Sequence, residues 1–453
     1  MARRRRRKAL PKDPVRTEVH AFSHEGRGIA SVDGKTVFID NALLGEEVSF
    51  IYTEKRGKFD EGVAEEIHVA SADRVTPPCI HADICGGCSL QHMSNPAQIS
   101  HKQSVLVEQL KHFGQYDLAN DDYELVEPMQ ADVLGYRRKA RLGVKFVPKK
   151  GGALVGFREK RSSFLATIDS CVVLDPRVGQ LITPLKEMIS ELDTNNKTAQ
   201  LEVAMGDDQV ALVVRHLEPL TEKDHNMWVE FGKEHGLYIY LQPKGPKTVH
   251  KIYGPEDSSK ENPDWLSYKL DHYGVELLFH PMDFTQVNAS INEQMVKRAI
   301  DWLEPSKDDR ILDLFCGLGN FTIPLATQVQ NVVGVEGSEE MVERGGMNAK
   351  HNNLDNVKFY AADLQTDFTQ EEWAQEGFNK VLIDPPRSGA LDVVQNIARF
   401  NPERIVYVSC NPATLARDSG ELKERGYKLV KAGVMDMFPH TAHTESIALF
   451  ERA

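Results

Sequence analysis

The sequence predicts an α/β protein of several domains, in which a small N-terminal OB-like β-barrel and a central α/β region precede a C-terminal doubly wound, Rossmann-like sheet. Three observations predict it. From about residue 280 onward, short apolar strands alternate with helical segments, the pattern of a largely parallel sheet covered on both faces. Residues from about 15 to 70 read instead as short strands joined by turns, with Asp33-Gly34 as a hairpin signal. At 453 residues, the chain also exceeds what one hydrophobic core usually organises. The expected division is 12–72 for the barrel, 73–270 for the central region and 271–453 for the sheet domain.

Apolar residues make up 41% and charged residues 27%, the balance of a globular protein. No apolar run approaches the ~18 residues of a membrane span, so no membrane partner is expected. The Arg3 to Arg7 run and Lys8 lead into no apolar stretch, which excludes a secretory signal and predicts a cytoplasmic location. That run reads either as a solvated tail or as a phosphate-gripping arm. The net charge of −13 argues at first against a polyanionic partner. Its distribution argues the other way. Between Tyr136 and Arg161 stand ten Lys or Arg residues against one acid, Glu159, with Tyr136, Phe146 and Phe157 interleaved where bases can stack. No obligate protein partner is evident.

In the barrel region, strands are expected over Gly28 to Val32, Thr36 to Ile39 and Val48 to Tyr52. Gly26-Arg27-Gly28-Ile29-Ala30 and Leu43-Leu44-Gly45-Glu46 resemble the TRAM domain, which implies an RNA-binding barrel; Leu44 stands where many such domains have proline. Pro77-Pro78 closes this region. In the central region, Leu201 to Arg215 is the clearest strand pair, turning at Gly206-Asp207, and Gln242 to Pro263 reads as a loop or linker.

Seven strands are expected in the last region: Arg310 to Phe315, Val332 to Glu336, Val357 to Tyr360, Lys380 to Ile383, Arg404 to Val408, Leu429 to Val434 and Ser446 to Phe450. The first runs into Cys316-Gly317-Leu318-Gly319, where missing side chains let backbone approach a ligand. The next ends in Glu336, placed to accept both hydroxyls of a ribose. Thr322 stands where a dinucleotide fold has its third glycine, so a pyrophosphate cradle is not supported. A nucleoside without phosphate, S-adenosylmethionine, fits better. Asp363 closes the third strand within reach of an adenine amino group. Gln286 reads as a ligand residue or a helix-start polar residue, and Cys316 as core.

Chemistry in such a sheet gathers outside the C-terminal strand ends. Three segments there are unusual: Asp384-Pro385-Pro386-Arg387, Ser409-Cys410-Asn411-Pro412 and His443-Thr444-Glu445-Ser446. Uracil C5 is a poor nucleophile until a thiolate adds at C6, and Cys410 can supply that thiolate. Glu445 can then remove the C5 proton. The alternative for Cys410 is a buried small apolar residue, and the neighbouring Asn411-Pro412 and Glu445 weigh against it.

Cys79, Cys85 and Cys88 form C-x5-C-x2-C, with Cys171 far downstream. Four thiols in a chain expected to form no disulfides read as a metal site. Zinc and a [4Fe-4S] cluster both accept four cysteines; the uneven spacing and Gly86-Gly87 favour the cluster. With Cys171 closing the fourth iron it would be structural.

Phe284-Thr-Gln-Val-Asn288, Asp313-Leu-Phe-Cys-Gly-Leu-Gly-Asn320, Asp384-Pro-Pro-Arg387 and Ser409-Cys-Asn-Pro-Ala-Thr-Leu-Ala-Arg-Asp418 together resemble the uracil-5 RNA methyltransferase family. The resemblance implies Cys410 as nucleophile, Glu445 as base, and Gln286, Phe315, Asn320, Glu336, Asp363 and Asp384 around S-adenosylmethionine. With the barrel and the four-cysteine set added, it implies the branch that methylates a uridine of 23S ribosomal RNA and carries a [4Fe-4S] cluster. RNA cytosine-5 enzymes usually carry a cysteine after the motif proline, where this chain has Arg387. A transfer-RNA or cytosine-5 enzyme, or a catalytically silent RNA-binding iron-sulfur protein, are the alternatives.

Overall fold

The structure, a computed structural model, describes residues 10–255 and 265–453. The arginine run Arg3 to Arg7 with Lys8, and part of the Gln242 to Pro263 stretch, lie outside the described residues. The chain forms two compact units. The first takes Met1–Ala82, Cys88–Lys102 and Phe438–His443; the second takes Asp83–Gly87, Gln103–Met437 and Thr444–Ala453.

The first unit contains a six-stranded sheet in the order Val15–Glu18, Glu47–Lys55, Phe59–Val69, Lys35–Asp40, Gly28–Val32, Ala21–Phe22. Alternate residues of Gly28–Val32, Lys35–Asp40 and Glu47–Lys55 supply Ala30, Val37, Ile39, Val48 and Phe50 to a core that Val19 joins. Gly62 lets the longest strand lie against Phe50, since a Cβ there would meet the Phe50 ring at 2.4 Å. In the Leu43-Leu44-Gly45-Glu46 turn, Gly45 takes φ +80° and the buried Glu46 carboxylate accepts from the Leu43 and Ser71 amides and from Arg74. A buried acid with every lone-pair direction engaged fixes a turn that sequence marks only as Gly-Glu.

The second unit holds two large sheets and a hairpin. One sheet runs His250–Tyr253, Tyr238–Gln242, Val210–His216, Thr198–Met205, Lys139–Val147, Gly152–Gly156. The expected strand pair is there, antiparallel, with Met205 opposite Val210 across the turn. The stretch expected as a loop after Gln242 differs: His250–Tyr253 adds an edge strand antiparallel to Tyr238–Gln242, and Ile252 and Tyr253 pack against the sheet's core. Four residues hemmed by proline and glycine are too few for a period of two to declare itself. Leu266–Leu270 and Val275–Phe279 form the hairpin.

The other sheet has eight strands in the order Val357–Ala361, Asn331–Glu336, Arg310–Leu314, Lys380–Ile383, Arg404–Ser409, Glu445–Arg452, Tyr427–Met435, Glu124–Leu125. The first five are mutually parallel, and Glu445–Arg452 runs antiparallel to both neighbours. All seven expected strands form. The eighth, Glu124–Leu125, comes from far upstream and is two residues long, below any sequence signal. Strand order reverses between Arg310–Leu314 and Lys380–Ile383, the position at which doubly wound sheets open a ligand crevice.

Candidate active site

The sheet order alone lines up most of the predicted residues. Along the edge where the parallel strands end come Asp363, Glu336, Phe315, Asp384 and Cys410, each at or just past the end of its own strand. Glu445 joins them because its strand is antiparallel, so that its beginning meets this edge. Ser409 pairs with Ser446 in the last rung, so Cys410 and Glu445 both stand one residue beyond it at this edge, and the Glu445 charge acts on the Cys410 thiol.

Around Phe315 this edge is a tight turn. Phe315 takes φ +64°, Gly317 +55° and Gly319 +97°, so three left-handed residues reverse the chain within five positions. At Gly319 a Cβ would meet Ile323 at 2.9 Å, so glycine is required there by space as well as by φ. Glu336 accepts from the Gly317 amide at 3.1 Å and the Ser338 amide at 3.2 Å, which orients its carboxylate over the turn. The buried Asn348 amide donates to Leu318 O at 3.0 Å and pins the same turn from behind. Cys316 is buried, packed where Gly334 leaves room, and burial pushes its thiol well up, in keeping with core.

Asn320 is held by a network that the sequence does not reveal. Its Oδ1 accepts from Tyr268 Oη at 2.8 Å and from Asn292 Nδ2 at 3.0 Å, and its Nδ2 donates to Asn292 Oδ1 at 2.8 Å. Both lone-pair directions of the oxygen are therefore engaged, and one N–H remains for a ligand acceptor. Gln286 lies in the loop before the helix Ala289–Leu303, two residues short of its Asn288 cap, rather than at the helix start. Lys139 Nζ donates to Pro281 O at 2.9 Å and to Asp283 O, and the Arg138 amide donates to Val287 O at 2.8 Å, so this loop is tied at both ends. Asp363 is exposed, and its Oδ1 caps the Gln365 amide at 2.9 Å.

Carboxyls crowd the crevice. Burial first, then the charges of Asp384 and Glu336, push the Asp313 carboxyl up to about 8, while Thr322, donating to its Oδ2 at 2.5 Å, pulls the other way. Burial pushes Asp384 up to about 7. A carboxyl raised by burial and by neighbouring charge, as Asp313 is, is relieved by a cationic ligand. A sulfonium with an ammonium group is such a ligand.

At Cys410, burial and then Glu445 and Asp384 push the thiol up to about 11, with Arg387 opposing them. The thiol, both carboxylates and the guanidinium thus share one electrostatic environment. Asn411 caps the helix Pro412–Glu424 by accepting from the Ala413 amide at 3.1 Å, and donates to Arg387 O at 3.1 Å. Arg417 donates to Ser388 O at 3.0 Å, and the buried Asp418 accepts from the Ala390 amide at 2.8 Å. The loop after Asp384 is thereby stitched to the one carrying Cys410. Sequence reading missed Arg387 as a neighbour of the thiol, and missed Tyr268, Asn292 and Asp313; only Asp313 carried a signal, an acid inside an otherwise apolar strand.

The four cysteines outside the sheet form no disulfide. Cys85 and Cys171 belong to the second unit, half-buried against the core of the six-stranded sheet; Cys79 and Cys88 belong to the first. Among the described residues no three His, Cys, Asp or Glu side chains gather as metal ligands would. No helix there is long and apolar enough to cross a membrane.

Comparison with known proteins follows the same lines. The family model described as tRNA (Uracil-5-)-methyltransferase matches residues 262–453. Across nearly the whole chain, 54% identity relates it to the 23S rRNA (uracil(1939)-C(5))-methyltransferase RlmD of Alcanivorax borkumensis, over 99% of this chain and 99% of that one. The RlmD of Hahella chejuensis is 51% identical over 99% of this chain and 100% of its own. Among solved structures, the tRNA (uracil-54, C5)-methyltransferase of Pyrococcus abyssi, in complex with S-adenosyl-L-homocysteine, superposes with a TM-score of 0.73 at 26% identity, over 96% of this chain and 99% of that one.

Proposed function

The chain belongs to the family of 23S rRNA (uracil-C5)-methyltransferases, and from that premise we propose how its residues carry the reaction. The enzyme transfers a methyl group from S-adenosylmethionine to C5 of a uridine in 23S ribosomal RNA. Cys410, as thiolate, adds to C6 of the uracil ring, forming an S–C6 bond and moving the ring's electron pair to C5 and O4. S-adenosylmethionine supplies an electrophilic methyl group on sulfonium. C5 takes that methyl as the S–CH3 bond breaks, leaving a neutral thioether. Glu445 then accepts the C5 proton, the C5–C6 double bond re-forms, and the thiolate leaves. The observation that supports this reading best is that Cys410 and Glu445 both flank the Ser409–Ser446 rung at the crevice edge, with the Glu445 charge acting on the thiol.

Gln286, Phe315, Asn320, Glu336, Asp363 and Asp384 would hold S-adenosylmethionine, with Glu336 on the ribose and the Asn320 N–H on an acceptor. The target is taken to be the uridine named for the relatives, turned out of its stack to expose C5 and C6. We read residues 12–72 as the RNA-binding TRAM barrel, 73–270 as the central domain and 271–453 as the methyltransferase domain, acting in the cytoplasm.

The four thiols Cys79, Cys85, Cys88 and Cys171 are the donor set that a [4Fe-4S] cluster takes, and none is in a disulfide. The cluster would be structural, since methyl transfer needs no redox step. Iron and sulfide analysis of anaerobically purified protein tests it: about four of each is expected, and zinc without sulfide would refute it.

The function is tested with ribosomal RNA from a strain lacking this enzyme. Labelled methyl should appear in 5-methyluridine of 23S RNA, and Cys410→Ala should abolish it. Methylation of transfer RNA, or of cytosine, would overturn the assignment. A 5-fluorouridine substrate should trap the protein covalently through Cys410.

A further inference from the structure

The structure divides the basic block between Tyr136 and Arg161 into two parts with different roles. In the first part Arg138 and Lys139 serve the fold, and the exposed Arg141 is paired. Arg138 pairs with Asp207 at 2.6 Å, Arg141 with Glu202 at 3.3 Å, and Lys139 holds the Pro281–Asp283 carbonyls. In the second part they face solvent: Lys149, Lys150, Arg158 and Arg161 are all exposed, and Phe164 presents 73% of its surface.

These exposed residues form one surface. The turn Pro148–Lys150 brings Lys150 Nζ to 3.3 Å from Thr167 Oγ1 and 3.9 Å from Glu159, so the hairpin tip lies against the loop that carries Arg158 to Phe164. That loop is ordered. The Glu159 amide donates to Phe164 O at 2.8 Å, the Phe164 amide to Ser162 Oγ at 2.9 Å, and Ser162 Oγ to Glu159. The Ile84–Gly86 turn pairs with it: the Lys160 amide donates to Ile84 O at 2.9 Å and the Gly86 amide to Arg158 O at 2.8 Å. Glu159, the one acid of the block, is occupied within the loop.

We propose that Lys149, Lys150, Arg158 and Arg161, with Phe164 as a stacking face, form a docking surface for an unpaired stretch of the RNA substrate. The occupant is argued from charge and shape. A chain of net charge −13 that gathers cations on one ordered surface selects a polyanion there, and an exposed ring among them selects unstacked bases over duplex. The proposal rests on the 23S RNA reading above.

The test is binding of a 23S RNA fragment, by fluorescence anisotropy, to the full chain carrying Lys149→Ala, Lys150→Ala and Arg158→Ala together. Each lost phosphate contact lowers the slope of log K against log salt by about 0.7–0.9, so a slope shallower by about two and an affinity at least tenfold weaker are expected. KM for RNA should rise with kcat at saturation retained. Phe164→Ala should weaken binding about tenfold with the slope unchanged, and Phe164→Trp should restore it. As a contrast, Lys139→Ala should lower kcat and leave the slope alone. Unchanged affinity and slope in the triple variant, with an unchanged melting curve, would overturn the proposal, as would a surface that captures an acidic protein but no RNA. Failure of the 23S RNA reading would show separately, as a wild-type protein that methylates no ribosomal RNA.

Discussion

Replacing Glu445 with glutamine should separate bond formation at C6 from proton loss at C5. Cys410 titrates at about 11 against an ordinary 9.0, chiefly through burial and then through the charge of Glu445. At pH 8 that leaves three decades between pH and pKa, so only about one thiol in a thousand is ionised. Removing the Glu445 charge lowers the thiol pKa, and each whole unit would give about tenfold more thiolate. The same change deletes the proposed base, a group whose loss typically costs about 10²–10⁴ in rate. Two assays read the two effects. Alkylation of Cys410 by iodoacetamide, followed against pH, should move its inflection downward from about 11 in Glu445→Gln. On a denaturing gel with unmodified 23S RNA, the variant should accumulate a covalent protein–RNA band while turnover falls by about two to four decades. Wild-type turnover in the variant would refute the role of Glu445. Faster alkylation with no covalent band would refute the role of the thiol.

Three further outcomes follow from the geometry. Tyr268→Phe removes one of two hydrogen bonds that fix Asn320 Oδ1, so KM for S-adenosylmethionine should rise about fivefold with kcat nearly unchanged, a cost of ~1 kcal/mol, read by initial-rate kinetics. Asp313 holds a proton up to about pH 8 in the folded chain and loses it near 3.8 when unfolded, so its contribution to stability falls as pH rises between those values; in Asp313→Asn that fall is absent, and the variant's melting temperature relative to wild type should increase from pH 5.5 to pH 8.5. Gly319→Ala forces a Cβ against Ile323 at 2.9 Å in a left-handed conformation, and should cost about 1–3 kcal/mol in denaturant melts and abolish S-adenosylmethionine binding by calorimetry.

The C-terminal sheet was legible because each of its strands is a buried apolar run with a distinct ending: Arg310–Leu314 before Gly317 and Gly319, Asn331–Glu336 on an acid, Lys380–Ile383 before Asp384 and two prolines. Local pattern carries that information. What escaped is contact between distant segments. Tyr268 meets Asn320 across 52 residues, and Glu124–Leu125 joins a strand some 300 positions on, with no local signature in either case. The basic block was visible as composition, but composition does not say which cation faces inward. Arg138 and Lys139 read like their neighbours until Asp207 and the Pro281 carbonyl are found against them. His250–Tyr253 was lost to the punctuation around it.

The reversed direction of the strand Glu445–Arg452 has a mechanical consequence. Glu445 opens its strand, paired with Met435 on one side and next to the Ser409–Ser446 rung on the other, whereas Cys410 and Asp384 sit where strands have already given way to loop. Strand pairing therefore holds the backbone of Glu445, whereas loop contacts hold those of Cys410 and Asp384.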